Sequence, residues 1–327
     1  MSKDLLRRVD ALQQQHRVLG FPLAVVKHYG EDGAGNLAAA MAHFGIFSLF
    51  PLLLVLTSLA GILLRGDPDL QQTLLDSALA QFPIVGHEIH DSLGAIGGTG
   101  LSLGIGISLS LWAGIGGIRA TQTAFDTVWG VPVRDRPNAV RAIARSLLML
   151  VSIGAFLLAS ALLSGFAGSS FTTAPFMIPA SAAMNILAIG TAYRVLTAAD
   201  LRWHDVIWGA SIAGIGWTIL LAAGGWIVGR RIASSSDVYG GFAIVIGLLA
   251  WIYLAAQLVL VGLEINVVRS ARLWPRSWAP DLTTHDARTL RRLARREERH
   301  PDEIVDAHFR RPDAPDRDDQ ALEDRPT

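Results

Sequence analysis

The chain has no cysteine, so it forms no disulfide and offers no thiolate. Thiolates ligate many structural zinc ions, hold iron–sulfur clusters and act as the nucleophiles of cysteine enzymes. All of these sites are therefore excluded. The absence does not identify the redox compartment, because a chain without cysteine is compatible with any of them.

Charge is also scarce in this sequence. Asp, Glu, Lys and Arg make up 17% of the 327 residues, hydrophobic residues make up 51%, and the formal net charge is zero. Soluble domains carry about 25% charged residues, so the composition favours a membrane protein. It shows no basic excess of the kind that binds phosphate backbones, and no nucleic-acid partner is predicted.

Six apolar stretches approach or exceed the roughly 20 residues that a helix needs to cross a bilayer. They are residues 37–64, 98–118, 143–168, 176–197, 206–229 and 241–268. The sequence therefore predicts an all-α fold, a polytopic membrane bundle of about six helices in a domain spanning 37–268. Pro51 removes a backbone donor inside the first stretch and predicts a kink.

Basic residues predict the orientation of this bundle. An even number of spans places both termini on one side, where most Lys and Arg of the connections also lie; the other side has Arg65, Arg230 and Arg231. By the positive-inside rule both termini are predicted to be cytoplasmic. The first 15 residues are polar and charged, unlike a cleavable signal, so we expect the first span to direct insertion.

Amphipathic patterns flank the first span. Before it, an apolar stripe with Lys27 and His28 on its flank predicts a cytoplasmic elbow helix within residues 1–36. The stripe consists of Val18, Phe21, Val25 and Tyr29. After it, Asp67 and Pro68 can begin a second interfacial helix that continues to Phe82 on the opposite surface.

The last region, residues 269–327, is predicted to be a charged cytoplasmic tail. From Asp281 the composition changes to Arg, Asp, Glu and Pro. Thr283 or Thr284 can cap a short helix there, whereas residues 310–327 have the composition of a disordered segment.

Four blocks of sequence, in order and spacing, resemble the YihY/BrkB family of bacterial inner-membrane proteins. They are residues 37–44 with 48–53, residues 124–129, Tyr239-Gly240 with residues 251–253, and residues 262–266. The resemblance covers about Lys27 to Arg269. It implies a six-helix inner-membrane protein, with family links to serum resistance and to export of lipid A precursors. An old family label, ribonuclease BN, is generally regarded as a misassignment.

Seven polar side chains in or beside the spans are candidates for a transport path. They are His43, Arg119, Asp126, Arg194, Gln257, Glu264 and Asn266. Glu264 either is buried, pairing with an arginine or binding a proton or headgroup, or reaches water at the interface. Arg119 and Arg194 either bind a phosphate headgroup, pair with Glu264 or Asp126, or snorkel to the surface.

The remaining candidates have simpler alternatives. His43 and Gln257 line a polar path or form interhelical hydrogen bonds. The family's expected residue at position 126 is more often Asn, so the resemblance leaves the role of Asp126 open. Pro51, Gly240 and Gly262 are predicted to be structural. The histidines of His87-Glu88-Ile89-His90 are three apart rather than four, so no metal site and no cofactor are predicted.

Together these features predict a protein, not an enzyme, that transports or flips a lipid or another amphiphilic envelope component. Spans one, two and six would form a partly polar crevice, where Arg119 or Arg194 meets the headgroup and Glu264 balances its charge. The expected partners are membrane lipids and a lipid-like substrate, and a homo-oligomer is compatible with the sequence. The alternatives are a noncatalytic scaffold that recruits partners through its charged tail and, least favoured, a membrane-bound hydrolase or nuclease.

Overall fold

All regular structure is helical in the part of the chain that the computed structural model describes. The described residues are Asp10, 17–47, 100–138, 140–146, 148–149, 152, 156, 174–231, 240–277 and 282–309. The all-α prediction is confirmed for these residues. Pro51, the interfacial helix after Asp67 and the His87–His90 motif lie outside them.

Eight helical segments follow one another along the described chain. They are α1 (Arg17–Glu31), α2 (Ala34–Phe47), α3 (Gly100–Val128), α4 (140–146), α5 (Ala174–Leu196), α6 (Trp203–Arg231), α7 (Gly240–Ser270) and α8 (Thr284–Arg295). The bounds of α5, α6 and α7 lie close to the predicted spans 176–197, 206–229 and 241–268. Helix α1 occupies the position of the predicted elbow helix, and Gly33, with φ of 62°, forms the turn that separates it from α2.

Two of the described helices are long and apolar enough to cross a membrane. Their apolar segments are Trp203–Leu221 of α6 and Val245–Ser270 of α7, while Ala34–Phe47 and Ala182–Leu196 are shorter apolar helices. Six crossings are not established by these segments and stay a prediction.

The outer faces of α6 and α7 are apolar. On α6, Trp208, Ile212, Ile215 and Ile219 are exposed at intervals of three or four residues, which places them on one side of the helix. Exposed Val245, Ile246, Leu249 and Leu254 extend along α7. Only 28% of each apolar segment is buried within the protein. Such faces suit a hydrocarbon environment, whereas the core helix of a soluble protein would bury them.

Helices α6 and α7 approach each other closely enough for their backbones to touch. A Cβ on Gly262 would lie 2.6 Å from the carbonyl oxygen of Gly209, and a Cβ on Gly209 would overlap the carbonyl oxygen of Gly262. Asn266 reinforces this crossing, since its Oδ1 accepts from Gly209 N at 2.7 Å and its Nδ2 donates to Val206 O at 3.1 Å. The start of α6 is thereby fixed to the end of α7.

The polar contacts between α1, α7 and α8 lie at one end of the bundle, which we call the charged end. There α1, the last turns of α7 and α8 meet, and Lys27 Nζ of α1 lies 2.8 Å from Asp286 Oδ1 of α8. The end of α3 joins the same region, because Asp126 Oδ1 accepts from the backbone N of Ala198 between α5 and α6 at 2.6 Å. The charged end therefore contains most of the candidate functional residues.

Candidate functional site

Glu264 is completely buried near the end of α7, where it contacts the last turn of α1. Its Oε2 lies 2.6 Å from His28 Nδ1, and the same nitrogen lies 3.2 Å from Oδ2 of Asp32. Arg296, which follows α8, donates to the other Asp32 oxygen at 2.9 Å. We call His28, Asp32 and Glu264 the buried triad. Glu264 pairs with a histidine, so the expected arginine partner is wrong, and it does not reach water.

Helical spacing brings the members of the buried triad together. His28 and Asp32 are four residues apart at the end of α1, so their side chains project from the same side of that helix. The amphipathic stripe of α1 faces the protein through the buried Ala24 and Val25, and His28, only 3% exposed, follows them inward. Glu264 then meets this pair because α1 packs against α7.

The surroundings of His28 favour its charged form. Burial alone would lower the pKa of His28, but hydrogen bonds and electrostatic attraction from Asp32 and Glu264 raise it to about 9. Nδ1 of His28 is therefore placed to donate to Glu264 when it carries the proton. Oε1 of Glu264 is buried without a hydrogen-bond donor among the described residues, and Oδ2 of Asp32 has His28 Nδ1 as its ion-pair partner.

A second network attaches α8 to the rest of the charged end, and we call it the tail clamp. Asp286 accepts from Lys27 Nζ and from Arg276 Nε, both at 2.8 Å, and from the backbone N of Ser277 at 3.0 Å. Arg276 is 1% exposed and also holds both carboxylate oxygens of Glu31, at 2.7 and 2.8 Å. Burial alone would raise the pKa of Asp286, but these donors together hold it well below its usual range.

Contacts with the loop after α3 complete the attachment of the tail. Arg134 Nη2 lies 3.0 Å from Glu298, and Arg292 Nη2 donates to the backbone oxygen of Trp129 at 2.8 Å. Thr283 caps α8: its hydroxyl oxygen accepts from the backbone N of Asp286, and the Asp286 carboxylate accepts from the backbone N of Thr283. The described part of the tail is therefore docked on the charged end rather than extended into solvent.

A cavity of about 470 Å³ lies where α4, α5 and the start of α6 meet, and we call it the arginine pocket. Arg145 and Arg194 line it; Arg145 Nη1 donates to Thr197 O at 3.3 Å and Arg194 Nε donates to Leu201 O at 2.9 Å. Thr197 also lines the pocket and is 1% exposed, and its hydroxyl has no hydrogen-bond partner among the described residues. Two cations thus line one cavity.

A smaller cavity of about 290 Å³ lies between α2, α3, α6 and α7, and we call it the apolar cleft. Met41, Gly45, Gly117 and Ile252 are among its lining residues. The predicted crevice between spans one, two and six corresponds to this position, but none of the predicted charged residues lines it. The described lining of this cleft is mostly small and apolar, and the partly polar crevice stays a prediction.

The other predicted site residues are dispersed. Arg119 is exposed and lines neither cavity, so it does not meet Arg194. His43 is exposed beside Phe44 and Phe47 at ring distances of 5.5 and 5.1 Å. Gln257 is half-buried on α7. Asp126 and Asn266 are buried hydrogen-bonding residues between helices, Gly240 begins α7, and Gly262 forms the crossing with α6.

Several residues of these sites were not predicted as site residues, among them His28 and Arg145. His28 was assigned to the flank of the elbow helix, although its four-residue spacing from Asp32 at the end of an amphipathic helix was a readable signal. Arg145 was treated as a topology signal only. Its proximity to Arg194 depends on how α4 packs beside α5, which no local pattern specifies.

The apolar outer faces of α6 and α7, combined with a charged end built around α1 and α8, are typical of an all-helical membrane protein. The chain belongs to the family described as virulence factor BrkB, whose model matches residues 25–280, and the predicted resemblance is confirmed. A curated relative is the ribonuclease-like protein YfkH of Bacillus subtilis (strain 168), 27% identical over 249 residues, which are 72% of this chain and 90% of that protein. No solved structure matches the chain.

Proposed function

We propose that the protein binds the anionic headgroup of an amphiphilic lipid in the arginine pocket and moves that lipid within the bacterial cytoplasmic membrane. The observation that carries the proposal is the convergence of Arg145 and Arg194 on one cavity. A guanidinium has five N–H donors. The described hydrogen bonds use one donor of each arginine, so others are available to a phosphate or carboxylate.

The surroundings of the pocket suit an amphiphile. Leu148 and Val195 add apolar surface to its lining, and the exposed apolar stripe of α6 begins at Trp208, shortly after the lining residue Trp203. A headgroup in the pocket would leave its acyl chains beside that stripe, in the bilayer. With both termini in the cytoplasm, the pocket would face the inner leaflet, whose anionic lipids are attracted to basic residues.

Charge favours an anion over a cation in this pocket. Arg145 and Arg194 contribute two positive charges, and Asp200 contributes one negative charge from an exposed position. Arg194 is further held over the ring of Trp203, with its guanidinium carbon 5.1 Å from the ring centroid. The stacking limits the motion of the side chain and keeps its remaining donors directed to one region.

Lipid redistribution by the purified protein tests the proposal. Vesicles containing the wild-type chain and fluorescent phosphatidylglycerol should lose fluorescence to an impermeant quencher faster than empty vesicles. The double variant R145A/R194A should slow this protein-dependent rate at least tenfold, since each charged hydrogen bond contributes about 1.5–3 kcal/mol. R202A is the matched control, because Arg202 is exposed and outside the pocket lining. Equal rates in R145A/R194A and in R202A would contradict the proposal. So would a lack of wild-type activity with several anionic lipids.

The name of the relative YfkH raises ribonuclease activity as a second possibility. The described residues do contain a His, Asp and Glu cluster, but its members are 0–7% exposed, out of reach of an RNA strand. We therefore propose a noncatalytic role. Purified protein free of soluble nucleases should leave labelled RNA intact, and cleavage that E264Q abolishes would contradict this view.

A scaffold function has one supporting observation. Arg288, Arg291 and Arg295 are exposed on one side of α8, whose other side is held by the tail clamp. The charge reversal R288E/R291E/R295E would abolish a phenotype that depends on recruitment through this surface. Lipid redistribution in vesicles should persist in the same variant, which separates the two functions.

A further inference from the structure

We propose that the buried triad binds one divalent transition-metal ion of the zinc type. His28 Nδ1 and one carboxylate oxygen each from Asp32 and Glu264 lie within 4.8 Å of one another. Donors that bind one zinc ion at about 2.0–2.2 Å are at most about 4.4 Å apart. Small side-chain rotations are therefore enough to bring all three donors around a single ion.

One unsatisfied oxygen leaves room for a further positive partner. Oε1 of Glu264 is buried and receives no hydrogen bond from the described residues, and its side chain is 0% exposed, whereas Oδ2 of Asp32 lies 3.2 Å from His28 Nδ1. Leaving a buried carboxylate oxygen without a donor is costly, because its hydration is lost and not replaced. A metal ion bound by His28 and the two carboxylates would take the place of the Nδ1 proton and could also satisfy Oε1 of Glu264.

The donor set determines the class of ion. One imidazole nitrogen and two carboxylates form a mixed nitrogen and oxygen set, which suits Zn²⁺ or Mn²⁺ better than the all-oxygen shells of Ca²⁺. With His28 neutral, the two carboxylates balance the divalent charge. The ion replaces the proton on Nδ1, so that proton is released on binding.

The surroundings already orient one of these ligands. Arg296 donates to Oδ1 of Asp32 at 2.9 Å, which leaves Oδ2 on the side of His28. Outer-shell hydrogen bonds of this kind fix ligand carboxylates in metal sites. Because His28 and Asp32 belong to the end of α1 while Glu264 belongs to α7, the bound ion would link the elbow helix to a membrane helix.

Calorimetry on the full-length, untagged protein in detergent tests the site, with Zn²⁺ added after chelator treatment. We expect about one ion per chain, and dissociation constants raised at least tenfold in D32N and E264Q. H204A is the matched control, because exposed His204 also lies beside a carboxylate, 2.9 Å from Asp205, and should bind no differently. Absence of binding to the wild type, or equal affinity in the triad variants, would overturn the proposal.

X-ray absorption of the zinc-loaded wild type keeps the proposal testable where a triad variant fails to fold. The expected spectrum has a nitrogen and oxygen shell near 2.0–2.1 Å with scattering from one imidazole. A shell without imidazole, or one with several histidines, would show adventitious surface binding and overturn the assignment. The measurement does not involve Arg145 or Arg194, so failure of the metal site and failure of lipid movement are distinguishable.

Discussion

Glu264 and Asn266 show how much two neighbouring residues of one helix can differ in role. They are two positions apart on α7, and a helix turns about 100° per residue, so they face different neighbours. Glu264 meets His28 on α1, whereas Asn266 binds the start of α6. One residue is therefore a candidate ligand, and the other is part of a helix crossing.

Replacing Asn266 by alanine should destabilise the protein by about 1–3 kcal/mol. The change removes two buried hydrogen bonds to Gly209 and Val206, each contributing about 1 kcal/mol net. Thermal unfolding in detergent, followed by circular dichroism, measures the effect. Q257A is a suitable control, because Gln257 is half-buried on the same helix. An unchanged N266A midpoint would contradict the assigned role of Asn266.

The local sequence pattern predicts which residues are buried better than it predicts which residues they contact. Glu264 stood out in the sequence because it is charged and ends an apolar run. Its partner His28 is 236 positions earlier, on a helix whose packing against α7 has no signature in either segment. Asp126 was likewise a candidate, but its bond to the backbone of Ala198 depends on a loop that only the folded bundle places there.

At the scale of elements, helix existence follows from local sequence, and helix packing does not. Apolar length predicted α5, α6 and α7 with bounds within a few residues, because it is a property of each segment alone. The tail was predicted as a charged segment with a short helix. Its docking through Asp286 could not be predicted, since the partners Lys27 and Arg276 come from two other elements.

Gly209→Ala should prevent the close crossing of α6 and α7. The added methyl group would overlap the carbonyl oxygen of Gly262, a backbone atom that cannot rotate away. We expect loss of several kcal/mol or failure to fold, measured as the yield of monodisperse protein in detergent. Gly114→Ala is the matched control, because a Cβ there meets nothing within 4 Å. Comparable loss in both variants would contradict a specific crossing.

The tail clamp should weaken in acid. The pKa of Asp286 is lowered in the folded protein, so its stabilisation is present above the unfolded value of about 3.9 and is lost as pH falls further. The protection factors of the α8 amides, which correct for the intrinsic pH dependence of exchange, should therefore decrease as the pH is lowered below about 4. At neutral pH, D286N should already accelerate the exchange of α8, whereas D302N, at an exposed position, should not. Equal exchange in D286N and wild type would show that the clamp does not hold α8.

At the scale of the whole molecule, the contact between α1 and α8 constrains the topology. Lys27 precedes the first apolar helix and Asp286 follows the last, yet the two side chains are 2.8 Å apart. The chain therefore leaves and returns to the same side of the bundle. An even number of crossings satisfies this condition, and six stays a prediction.

Labelling of single cysteines should place both termini in the cytoplasm. The chain has no native cysteine, so Leu19→Cys and Asp302→Cys each introduce one reactive thiol at an exposed position. An impermeant maleimide should label both in inside-out vesicles and neither in intact spheroplasts. Labelling of one position from each side would contradict the shared orientation of the termini.

The contacts between α1 and the tail form late in biosynthesis. Lys27 and Asp32 lie 259 and 264 residues before their partners Asp286 and Arg296. A ribosome releases the N-terminal members long before it makes the C-terminal ones. During that interval, Lys27 has no Asp286 to pair with, although His28 and Glu31 of the same helix can already meet Glu264 and Arg276. A truncated product that lacks α8 would therefore keep α1 attached to α7 and lose only the contacts of Lys27 and Asp32 with the tail.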